Sequence, residues 1–111
     1  MKNDIIKHRQ KGFRAEHYLR KKLEERGYYV IRSAGSHTAF DLIAGRHGHA
    51  VGIQVKHGNA ISRQEAEKVY VAAQHMGFKP VIALFNKESR RWVFYELKLE
   101  ENRLFLIQTT L

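Results

Sequence analysis

Four side chains in this sequence have the types and spacing to act together. Asp41 stands near the start of the run FDLIAGRHGHAVGIQVK and Lys56 closes it, with Gln54 two residues before the Lys. Glu16 lies upstream in KGFRAEHYLRKKLEERG, three residues after Phe13, three before Leu19 and seven before Leu23. A carboxylate set within such an apolar stripe has to be paired, neutralised or bound to a cation. The oxygens of Glu16, Asp41 and the Gln54 amide, with the backbone carbonyl of Val55, are ligands of the kind that hard divalent cations such as Mg²⁺ and Mn²⁺ take. A Lys beside them can orient a water nucleophile or neutralise charge growing on a phosphate. Together these groups suit hydrolysis of a phosphodiester. Plainer readings stand next to this one: a Glu16–Arg20 pair at i+4 on a helix, and an Asp41–Lys56 ion pair across a hairpin end, worth ~0–1 kcal/mol at a surface.

Several elements must hold these groups. From Gly12 to Arg26 the apolar residues recur at helical spacing, and Gly27 supplies a stop. Tyr28 to Ser33 reads as a strand from its aromatic and β-branched content, and Ala34 to Ala39 as a loop of small residues. Asp41 to Ala44 and Val51 to Lys56 read as strands of an antiparallel hairpin turning through Gly45 to Gly48. That hairpin brings Asp41 and Lys56 to one end of the sheet. Gln54 and Lys56, two apart, share a face. Ser62 and Glu65 fit a capping box opening a helix that runs to Met76. Pro80 leads into an apolar strand, Val81 to Phe85, expected to be buried on both faces. Arg91 to Lys98 and Arg103 to Gln108 alternate as a closing pair with a long turn through Glu100 to Asn102. The expected fold is an α/β mixed sheet flanked by helices, in the order α-β-β-β-α-β plus C-terminal strands.

At 111 residues the chain is expected to be a single domain over 1–111, with 1–11 a basic arm or the start of a helix. No apolar run is long enough to cross a membrane, and no signal peptide is evident. Zero cysteines exclude disulfides and thiolate metal sites and agree with an intracellular, cytoplasmic protein. Twenty Lys and Arg against eleven Asp and Glu give a net charge of +9, a field that attracts polyanions, nucleic acid foremost.

The phrases KGFRAEHYLRKKLEERGYYVIRS, AGSHTAFD, DLIAG and QVK resemble the PD-(D/E)xK nuclease superfamily, and within it the archaeal-type Holliday junction resolvases. The resemblance covers most of residues 11 to 85. It implies a restriction-endonuclease-like core and a catalytic set of Glu16, Ser36, Asp41, Gln54 and Lys56. It implies a metal held by Asp41, Gln54, Val55 and Glu16, with Mg²⁺ as cofactor and Mn²⁺ able to substitute. It further implies a homodimer that nicks opposing strands of a four-way DNA junction. Two positions depart from the pattern. Phe40 stands where the superfamily name has Pro, and Gln54 where a second acid is expected. The amide removes one negative ligand, which leaves two alternatives open: an Mrr-like restriction-type nuclease, a group resembling this chain in its Gln-x-Lys, and a junction-binding protein with impaired cleavage.

DNA contacts are expected from Lys11, Arg14, Arg32, His37, Arg46, His57 and Arg63, mainly to phosphates. His47 and His49 lie two apart with no second spaced pair, so the histidines do not suggest zinc. Trp92, Phe94, Tyr95, Leu104, Phe105 and Leu106 exceed what one sheet face needs, and an exposed remainder would mark a dimer interface.

Overall fold

A computed structural model describes residues 15–33, 38–57 and 61–111. The expected N-terminal arm, Lys11, Arg14, Ser36 and His37 lie outside the described residues. Helix α1 occupies residues 15–25. Six strands follow, with one helix among them: β1 (Tyr29–Arg32), β2 (Leu42–Arg46), β3 (His49–His57), α2 (Arg63–Met76), β4 (Lys79–Asn86), β5 (Arg91–Glu100) and β6 (Arg103–Thr109).

The strands form one sheet in sequence order, β1-β2-β3-β4-β5-β6. Neighbours pair antiparallel except β3 and β4, which run parallel. A parallel pair needs a crossover, and α2 supplies it. The sheet is therefore mixed, as expected, and its parallel step falls beside the strand that carries Gln54 and Lys56.

Side-chain alternation divides the core in two. Leu42, Ala44, Val51, Ile53, Val55, Val81, Ala83 and Phe94 face Leu19 and Leu23 of α1. Phe40, Ile82 and Leu97 face Ala66, Val69 and Ala73 of α2. Each face of the sheet thus buries one helix, as a three-layer α/β domain requires. Helix α2 begins with Ser62 accepting from the Glu65 N–H at 3.1 Å and ends at Gly77, matching the sequence expectation.

Two of the hairpin turns are tighter than the sequence suggested. β2 and β3 extend through Arg46 and from His49, so the turn is His47-Gly48 alone, with φ of 53° and 79°. β5 and β6 turn through Glu101 and Asn102, at 48° and 63°, in place of the longer loop expected. Two successive positive φ values fit the right-handed twist of the flanking strands. Gly48 has no Cβ to strain there. β4 is buried on both faces only from Pro80 to Ala83; Leu84 and Phe85 are half-buried. Among the described residues no helix is long and apolar enough to cross a membrane.

Candidate active site

Asp41 immediately precedes β2 and is held from three directions. Its N–H donates to the Ile53 carbonyl at 2.8 Å, and its carbonyl accepts from the Ser33 N–H at 2.9 Å. Its Oδ2 accepts from the Val55 N–H at 2.8 Å. The approach to Asp41 is fixed too. Thr38 Oγ1 donates to the Phe40 carbonyl at 2.7 Å and lies 2.6 Å from Ser33 Oγ. The Phe40 ring is buried over Gly52, where any Cβ would fall 2.5 Å from a ring carbon. Phe40 directly precedes the acid, and its packing against Gly52 fixes the approach to Asp41.

Gln54 and Lys56 alternate with Val51, Ile53 and Val55, whose side chains face α1. They therefore share the face that α2 covers, as the two-residue spacing predicts. The Gln54 amide lies over its neighbour's peptide, with Nε2 at 3.5 Å from the Val55 carbonyl oxygen. Lys56 makes an ion pair with Glu65 in the first turn of α2. Among the described residues it makes no ion pair with Asp41, yet it is near enough for its charge to lower the Asp41 pKa.

Glu16 reaches the sheet end from the other face. Its Oε2 accepts from Arg32 Nε at 2.9 Å. Arg20 instead pairs with Glu24 at 3.6 Å, so the i+4 partner suggested for Glu16 is not the one used. The cation that the misplaced Glu16 charge demanded is thus already present in the protein, as Arg32. Of the other expected DNA-contacting residues, His57 is exposed at the end of β3 beside Lys56. Arg63 is exposed at the start of α2 and pairs with Glu67. Arg46 is not at this end. It stands at the far end of β2, where its guanidinium lies 4.3 Å from the Tyr28 ring centre and donates to the Arg26 carbonyl at 2.7 Å. A cleft of about 610 Å³ opens there as well, lined by Tyr28, His49, Lys79 and Leu111, and of the proposed site residues it includes only Arg46.

The electrostatics centre on Asp41. Burial raises its pKa; the Val55 N–H pulls the other way, the nearby Glu16 carboxylate raises it further, and Lys56 and Arg32 lower it. A carboxylate desolvated next to a second carboxylate is stabilised by a bound cation. Asp41 and the Val55 carbonyl offer oxygens that suit a hard divalent ion in kind, and the Gln54 amide would add its own oxygen once turned from the Nε2 contact with that carbonyl. Among the described residues there is no group of three His, Cys, Asp or Glu side chains placed to hold a metal. Such a site therefore depends on amide and peptide oxygens where a third carboxylate would otherwise serve.

Two residues at this end were not singled out from the sequence for their contacts. Arg32, expected to contact phosphate, pairs with Glu16, and strand alternation puts it on the same side as the buried Val30, facing α1. Glu65, expected only as a capping residue, also pairs with Lys56. Its contact with Lys56, nine positions earlier, leaves no periodic signal.

A mixed sheet with a helix on each face, carrying an acid, an amide and a lysine at one end, is the restriction-endonuclease-like α/β class. The chain belongs to the archaeal Holliday junction resolvase (Hjc) family, whose model matches residues 7–110. It is 38% identical over 84 residues to the crossover junction endodeoxyribonuclease Hjc of Methanocaldococcus jannaschii, an alignment covering 71% of this chain and 62% of that protein. The chain thus spans less than two thirds of that relative's length. Its fold is similar to the structure of Archaeoglobus fulgidus Hjc, a Holliday junction resolvase from an archaeal hyperthermophile. The TM-score is 0.69 at 27% identity, over 86% of this chain and 85% of the other.

Proposed function

We propose that this protein is a structure-selective, metal-dependent endonuclease that binds four-way DNA junctions and nicks opposing strands symmetrically by phosphodiester hydrolysis. One observation carries the reading: in a member of the Hjc family, Asp41, Gln54, the Val55 carbonyl and Lys56 converge at one end of the sheet. A divalent ion bound there supplies a polarised water and a counter-charge for the phosphate. Mg²⁺ is the proposed ion, with Mn²⁺ as a substitute. Asp41 is its main ligand, joined by the amide oxygen of Gln54 and the Val55 carbonyl. Glu16, tied to Arg32, adds negative charge on the opposite side of Asp41. Lys56 presents an ammonium to the scissile phosphate and stabilises the charge that grows on it. Ser36, outside the described residues, takes the role at that phosphate that the family resemblance implies. His57 and Arg63 flank the site and contact the DNA backbone. The enzyme acts as a homodimer, so that two sites face a twofold junction. Its proposed place of work is the cytoplasm.

Gln54 favours a second reading, a restriction-type nuclease acting on linear DNA. A labelled mobile four-way junction and a linear duplex of the same sequence, each incubated with Mg²⁺, Mn²⁺ or EDTA, separate the two. Paired symmetric nicks in the junction, lost in EDTA, are expected. Cleavage confined to the linear duplex supports the second reading. Tight junction binding without cleavage in either metal contradicts both.

A further inference from the structure

We infer that Glu65 is a positioning residue of the active site, holding the Lys56 ammonium from α2 in place of the strand-borne acid that Gln54 lacks. The inference rests on the endonuclease reading above. The two Glu65 carboxylate oxygens have separate tasks. Oε1 accepts from the Ser62 hydroxyl at 3.1 Å, and Oε2 pairs with Lys56. As in a capping box, the carboxylate turns back to the N-cap residue, whose hydroxyl and backbone N–H both favour its charged form. Here the helix start fixes one oxygen, and the other points across to β3. The partner is the ammonium at the sheet end, on the same strand face as Gln54.

An amide at position 54 carries no charge with which to hold that ammonium. A glutamate there would sit two residues from Lys56 on the same face and could hold it directly. With Gln54 in place, the carboxylate comes from the neighbouring helix. Lys56 is then confined, and its long side chain does not have to be ordered anew when a phosphate arrives.

Glu65→Gln separates this role from helix capping, because Gln serves equally well at the third helical position. The expected result is unchanged junction affinity and only a small fall in the thermal midpoint, because the pair is partly exposed. The single-turnover cleavage rate in saturating Mg²⁺ should fall by about tenfold or more, the usual scale for losing a residue that orients an active-site group. Adding Gln54→Glu to Glu65→Gln should restore most of the rate by returning a carboxylate to Lys56. If Glu65→Gln cuts at the parent rate, the inference is overturned while the endonuclease reading stands. A loss that Gln54→Glu does not repair also overturns it. If the unaltered protein cuts neither junction nor linear DNA, the endonuclease reading fails and the inference falls with it.

Discussion

Asp41 is the residue on which folding and proposed chemistry make opposite demands. Its carboxyl pKa is raised, chiefly by burial and then by Glu16. A raised folded-state value means that the ionised form is disfavoured in the fold. The group's favourable contribution is complete below its unfolded pKa of ~4 and is lost as pH rises through the folded value. Asn has the shape of the neutral acid and an oxygen that can still accept from the Val55 N–H. Asp41→Asn should therefore raise the thermal midpoint at pH 7 by roughly a few degrees. The difference should shrink towards zero as pH falls to about 4, which differential scanning calorimetry across that range would check. Glu65 runs the other way. Its pKa is lowered first by the hydrogen bond to Lys56, so its contribution is present at neutral pH and declines as pH falls. That effect is small, because the Glu65 side chain is 41% exposed and screened by solvent.

Among the elements, the β2–β3 hairpin and the segment leading into it set the site. Phe40 and Gly52 are a matched pair across that junction, and the ring occupies the space of the missing side chain. Gly52→Ala would drive a methyl into the Phe40 ring. It should destabilise the fold by about 1–3 kcal/mol, measured by urea denaturation, and should lower cleavage more than junction binding, because Asp41 follows Phe40 directly. Much of this was readable in the sequence. Period-two alternation and the Gly/His turn gave the hairpin, and the spacing of Gln54 and Lys56 gave their shared face. The capping box gave α2, and helical spacing of Leu19 and Leu23 gave the buried side of α1. The turn lengths were not readable, because His47, Glu101 and Asn102 adopt positive φ without a glycine to announce it. Arg46 looked like a site residue by proximity to the hairpin in sequence; strand length carries it to the other end. The Glu16–Arg32 and Lys56–Glu65 pairs join separate elements, and no local pattern encodes a contact made only after the sheet and helices have packed.

At the scale of the whole molecule the sheet has an unprotected side. The residues picked out as an aromatic and apolar surplus divide on folding. Phe94 is buried; Trp92, Tyr95 and Leu104 are half-buried. Phe105, Leu106 and Ile107 of the edge strand β6 remain 44%, 42% and 44% exposed. An apolar edge strand is a template for pairing with a second copy, and it is the surface proposed for the homodimer. A Phe105→Lys, Ile107→Lys double variant, altering one face of that edge, should convert a dimer to a monomer by light scattering; a parent protein that is already monomeric would contradict this interface.

The central claim is that the sheet end around Asp41 cuts junction DNA. Its most direct test compares the parent protein with Asp41→Asn on a labelled mobile four-way junction in Mg²⁺, reading binding and nicking in the same samples. The account predicts paired symmetric nicks from the parent, and from Asp41→Asn equal binding with no nicks. Nicking by Asp41→Asn at the parent rate would contradict it.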